Sequence, residues 1–80
     1  MHLILLGTAG CHLCEQAEEI IRDCLGNDYQ QVIEQIDIAE QEHWQVRYAV
    51  RIPVLYDPSS EKELAWRFEQ AEVRAFIQSL

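Results

Sequence analysis

Leu3-Ile4-Leu5-Leu6-Gly7-Thr8-Ala9-Gly10-Cys11-His12-Leu13-Cys14 is the stretch whose reading decides the fold. Residues 2–6 are aliphatic and β-prone, and they predict a buried strand. Gly7-Thr8-Ala9-Gly10 then breaks it. From Leu13 the apolar residues are Leu13, Ala17, Ile20, Ile21, Cys24 and Leu25. Their spacing is that of one helix face. Glu15, Gln16, Glu18, Glu19, Arg22 and Asp23 take the opposite face, and Gly26-Asn27 is a helix stop. Cys11 and Cys14 therefore stand where a strand ends and a helix begins.

Working outward, Val32, Glu34, Ile36 and Ile38 alternate within residues 30–38, with Ile33 out of phase. This predicts a second strand. Trp44, Tyr48 and Ala49 within residues 40–50 predict a short helix. Val54-Leu55-Tyr56 after Pro53 predicts a third strand, and Asp57-Pro58-Ser59-Ser60 a turn. Leu64-Ala65-Trp66 is expected to pair back as a hairpin, and Val73, Phe76, Ile77 and Leu80 mark a last helix. The order β-α-β-α-β-β-α is that of an α/β chain. A parallel β-α-β unit followed by an antiparallel hairpin gives a mixed four-stranded sheet flanked by three helices. The expectation is one domain over residues 1–80.

Composition narrows the function. A chain of 80 residues has no room for a second domain, and 49% hydrophobic residues exclude a disordered segment. Fourteen acidic residues against 6 basic ones, a net charge of -8, argue against nucleic acid as a partner. Phosphate binding needs a basic face. Three cysteines are an odd count for a disulfide-stapled secreted domain. The apolar run Leu3–Leu6 is four residues long. A signal peptide needs roughly 7–15 apolar residues and a membrane helix about 20. The expected location is the cytoplasm, without a membrane partner. There a paired Cys motif is more often catalytic or metal-binding than structural.

Cys11 and Cys14 have the chemistry of a redox pair. Residues i and i+3 at a helix start lie close enough to form a disulfide. The free N–H groups and positive end of the helix favour a thiolate on the first of them. His12 is a candidate for tuning that thiolate through a nearby positive charge, or else a solvated spacer. Two buried, inert thiols and a zinc or iron–sulfur site are the alternatives. Zinc needs four ligands. Cys24 lies about 15 Å along the helix from Cys14, so a partner chain or an external thiol has to complete such a site. Cys24 itself reads as a small core residue.

The chain resembles the thioredoxin-fold superfamily and, within it, the short bacterial glutaredoxin-like proteins. The residues that carry the resemblance are Leu3–Leu6, Cys11-His12-Leu13-Cys14-Glu15, Arg51-Ile52-Pro53-Val54-Leu55 and Glu63-Leu64-Ala65-Trp66. They span nearly the whole chain. The resemblance implies a thiol–disulfide oxidoreductase with Cys11 as nucleophile and Cys14 as resolving thiol. It implies a cis Pro53 facing the disulfide, and an Ile52 backbone offered to a bound peptide or to glutathione. It implies no resident cofactor or metal, with glutathione or a reductase as external electron donor. The partner is then a disulfide-containing protein or a small thiol, met by a monomer.

Two departures stand beside the resemblance. Glutaredoxins proper carry Cys-Pro-Tyr-Cys and, after the last strand, a Gly-Gly turn that holds the γ-glutamyl end of glutathione. Here the corresponding residues are His12-Leu13 and Arg67-Phe68-Glu69-Gln70. Arg47 and Arg51 are candidate carboxylate partners. The net charge opposes an anionic tripeptide at long range. A non-catalytic binding module, a redox sensor and a metal or cluster carrier remain as alternative functions, since fold alone does not fix function.

Overall fold

The computed structural model describes all residues from Met1 to Leu80. Strand β1 (Leu3–Gly7) leads into helix α1 (His12–Leu25). A one-turn helix α2 (Tyr29–Val32) precedes strand β2 (Ile33–Asp37), and helix α3 (Glu42–Tyr48) follows it. Strands β3 (Val54–Asp57) and β4 (Lys62–Ala65) form a hairpin, and helix α4 (Gln70–Gln78) closes the order. The sheet order is β2-β1-β3-β4. β1 pairs parallel to β2 with Leu3 opposite Ile33, and antiparallel to β3 with Leu5 opposite Leu55. β3 and β4 are antiparallel. The mixed four-stranded sheet expected from the sequence is thus the one found.

The run Leu3–Leu6 is continuous in hydrophobicity because β1 is interior to the sheet and both its faces are covered. Leu3 and Leu5 join Ala17 and Ile21 of α1, Leu55, Phe68 and Val73 of α4 in one core. Ile4 and Leu6 join Trp44 and Tyr48 of α3, Val54 and Tyr56 in the other. Leu3, Leu6, Ile21 and Leu55 are completely buried. Each such side chain contributes about 1.5–3 kcal/mol relative to exposure. Phe68 precedes the Glu69 cap of α4 and shares its core with Val73 four residues into the helix. This is a hydrophobic staple, and Glu69 and Glu72 complete a capping box beside it.

Several boundaries differ from the sequence reading. The second strand starts at Ile33, because Tyr29–Val32 form a helical turn. Tyr29 anchors that turn. Its ring lies under the Arg22 guanidinium at 4.1 Å, and its hydroxyl accepts from Gln35 Nε2 at 2.7 Å. Ile33 is out of phase because β2 serves both cores, Ile33 on one face and Ile36 on the other. Ile38 lies past the strand in a 3-10 turn. Ala49 and Leu80 are exposed, since α3 and α4 end before them. Leu13 is also exposed, because the first turn of α1 presents its side chain to solvent. Trp66 follows β4 rather than belonging to it, and its N–H donates to Pro53 O at 3.0 Å.

Candidate active site at the start of the first helix

Gly10, with φ 74°, turns the chain out of the loop after β1. An L side chain is disfavoured in that region. Cys11 follows in extended geometry as the N-cap of α1. Its Sγ accepts the Cys14 N–H at 3.1 Å, and its carbonyl accepts Glu15 N–H at 3.2 Å. One of the orphan donors of the helix start is therefore aimed at sulfur. Cys11 and Cys14 are joined as a disulfide, with their Cα atoms 5.2 Å apart. Both are partly exposed. A sulfur at this place, open to solvent and facing a helix N-terminus, has the surroundings that favour a thiolate when reduced.

A groove of about 300 Å³ adjoins the disulfide on the β2 side. Thr8, Glu15, Glu18 and Asp37 are among its walls, and no Lys or Arg lines it. The Ala39 backbone N–H, at 2.9 Å, holds the Asp37 carboxyl below the usual carboxylate range, with the Thr8 hydroxyl assisting. Glu18 is lowered by its 2.9 Å hydrogen bond from Arg22. The groove is thus anionic beside the sulfurs. Thr8, Gln35 and Asp37 were not singled out from sequence. The signal was available: loops beyond the carboxyl ends of parallel strands are where α/β folds form their sites.

The other expected residues lie as follows. His12 is 92% exposed and its Nδ1 sits 3.4 Å from Glu15 Oε2, so its nearest charged partner is a carboxylate. The Ile52–Pro53 peptide is cis. Pro53 is buried and Ile52 partly so. Val54 pairs with Leu6, so Pro53 comes at the Gly7 end of β1, the end that leads to Cys11. Arg47 and Arg51 do not line the groove. Arg51 pairs with Glu63 at 3.1 Å and sits 5.3 Å from the Tyr48 ring centre. Arg47 lies over Tyr48 and Tyr56 at 5.3 and 5.9 Å. The third cysteine, Cys24, stands apart. Its Sγ donates to Gln70 O at 3.6 Å, and burial pushes its thiol up. No group of three or more His, Cys, Asp or Glu side chains converges as a metal cage.

A parallel β-α-β unit, an antiparallel hairpin, a Cys-x-x-Cys at the first helix start and a cis proline at the same end of the sheet define a thioredoxin-like fold. The family described as Glutaredoxin-like domain (DUF836) matches residues 2–78, and the chain belongs to it. No curated protein matches the sequence. Among solved structures, the structural-genomics target XcR50 from X. campestris is similar at 29% identity and TM-score 0.83, over 98% of this chain and 97% of that one. Protein Ne2328 from Nitrosomonas europaea is similar at 29% identity and TM-score 0.72, over 94% and 88%. Thioredoxin 1 from Thermosipho africanus TCF52B shares the fold at 23% identity and TM-score 0.70, over 99% and 92%. No helix is long and apolar enough to cross a membrane.

Proposed function

We propose that the protein is a thiol–disulfide oxidoreductase whose working couple is Cys11 and Cys14. The observation that supports this most is the Cys14 N–H donated to Cys11 Sγ at the cap of α1, within a Cys-x-x-Cys pair. That donor and the helix end favour negative charge on Cys11. In the reduced protein the Cys11 thiolate attacks a substrate disulfide, forms a mixed disulfide and expels one substrate thiolate. Cys14, having lost its proton to solvent, attacks Cys11 Sγ. The internal disulfide forms and the second substrate thiolate leaves. Two electrons pass from the two thiols to the substrate. An external thiol, glutathione or a reductase, returns them.

The backbone of Ile52 beside cis Pro53 offers a place for an extended substrate segment at the same sheet end. His12, when protonated, adds charge near Cys11. The Glu15 carboxylate, 3.4 Å from His12 Nδ1, offsets part of it. The substrate is a protein or small-molecule disulfide, and cytoplasmic conditions suit the reduced resting state. Of the two electron donors, free glutathione is disfavoured against a reductase. The expected arginines are engaged elsewhere, the groove is anionic, and the net charge is -8.

The test is trapping. Cys14→Ser, mixed with a model protein disulfide, should accumulate an adduct that peptide mapping by mass spectrometry locates at Cys11. Activity in Cys11→Ser, or an adduct located at Cys24, contradicts the assignment.

A further inference from the structure

We propose that Gly7, the last residue of β1, is a positioning residue for the resolving thiol. Its lack of a side chain leaves the space in which Cys14 Sγ closes onto Cys11. This rests on the reading of Cys11 and Cys14 as a redox couple. A Cβ at Gly7 would meet Cys14 Sγ at 3.1 Å and Cys14 Cβ at 3.2 Å. Comfortable contacts between carbon atoms are about 3.5–4.0 Å. A methyl there requires Cys14 to give way by a few tenths of an ångström.

Space, not backbone conformation, is what the glycine supplies. Gly10 and Gly26 hold positive φ, and Gly7 does not. Gly7 is also fixed in the sheet, opposite Asp37 in the β1–β2 ladder. It cannot easily retreat, so the strain falls on Cys14. Nothing else beyond its chain neighbours comes within 4 Å of that Cβ position, Cys11 included.

The contact separates the two chemical steps. In the first, Cys11 attacks the substrate and one substrate thiolate leaves, and the attacking Cys11 lies beyond 4 Å of the Gly7 Cβ position. In the second, the deprotonated Cys14 bonds to Cys11 Sγ while the Cys11–substrate bond breaks and the remaining substrate thiolate leaves. Closing that ring fixes the Cys14 side chain against β1. A free thiol at Cys14 can rotate its Sγ away from a methyl, leaving only the Cβ contact, and a closed disulfide holds both contacts. Crowding at residue 7 therefore opposes closure and spares the opening attack.

The experiment compares wild type with Gly7→Ala and Gly7→Val in glutathione redox buffers of known ratio. The fraction of Cys11–Cys14 disulfide is read by thiol alkylation and mass. The equilibrium constant for closing the disulfide should fall about tenfold for Ala and further for Val, as overpacking at one site does. Decay of a preformed Cys11 mixed disulfide should slow in the same order. Alkylation of Cys11 in a Cys14→Ser background should keep its rate. Equal equilibrium and decay in wild type and Gly7→Ala overturn the inference. A wild type with no reversible couple overturns the proposed function itself, so the two failures are distinct. A double-mutant cycle covers an unstable Gly7→Ala. The destabilisation should shrink when Cys14→Gly removes both atoms the methyl meets, and an undiminished cost overturns the inference.

Discussion

Cys11 is at once the candidate nucleophile and the cap of α1, and these roles separate in the paired variants Cys11→Ser and Cys11→Ala. Neither forms the Cys11–Cys14 disulfide, so their difference contains no cross-link contribution. The helix start leaves unsatisfied N–H groups. One of them, from Cys14, reaches the Cys11 side chain at 3.1 Å, with Cys11 at φ -89° and ψ 108°. Serine presents an oxygen to the same N–H, and alanine presents nothing. Loss of an N-cap side chain costs typically about 1 kcal/mol. In a domain of 60–100 residues that shifts the Tm by roughly 4–8 °C. The assay is thermal and urea unfolding of both variants in excess reductant, followed by circular dichroism. Cys11→Ser should be the more stable. Equal stability, or a more stable Cys11→Ala, refutes the reasoning. It would show that the Cys14 N–H does not engage the side chain at 11. The same contact would then be no support for charge on the sulfur.

Three further outcomes are expected. Tyr48 is completely buried, and its hydroxyl lacks a hydrogen-bond partner although the Glu63 carboxylate is near. Tyr48→Phe should thus be neutral or stabilising by up to about 1 kcal/mol in urea unfolding, and a clear loss would mean the hydroxyl is satisfied. The Asp57 carboxyl is held below its usual range first by the Ser60 hydroxyl at 2.6 Å, with Ser59 N–H assisting. Its contribution is present above the unfolded carboxyl range and is lost as pH falls through the folded value. The stability gap between wild type and Asp57→Asn should therefore narrow below about pH 4, and a pH-independent gap would contradict it. Salt should speed reduction of anionic glutathione disulfide and slow that of cationic cystamine, given the charge of -8 and the Glu15, Glu18 and Asp37 groove. A common direction for both would remove the electrostatic argument.

Much of this was legible in the sequence, and the exceptions have physical reasons. The strand at Leu3–Leu6 and the stripe on α1 were readable because burial repeats with the period of each element. Tyr29–Val32 was not, because a single helical turn is too short to show a period. It is held by Tyr29 contacts to Arg22 and Gln35 that only the folded chain brings together. The dithiol was legible from spacing and position. The anionic groove beside it was not, since it joins Thr8 after β1 to Asp37 at the end of β2. Arg47 and Arg51 looked available in one dimension. The fold turns them onto Tyr48, Tyr56 and Glu63.

The most direct measurement is the order in which the three cysteines of the reduced protein react with a limiting amount of iodoacetamide near pH 7, mapped peptide by peptide. Cys11 should label first, because a helix N-terminus and the Cys14 N–H face its sulfur. Cys24 should label last, because burial disfavours its thiolate. Labelling of Cys14 or Cys24 ahead of Cys11 would contradict the assignment of Cys11 as the attacking thiol.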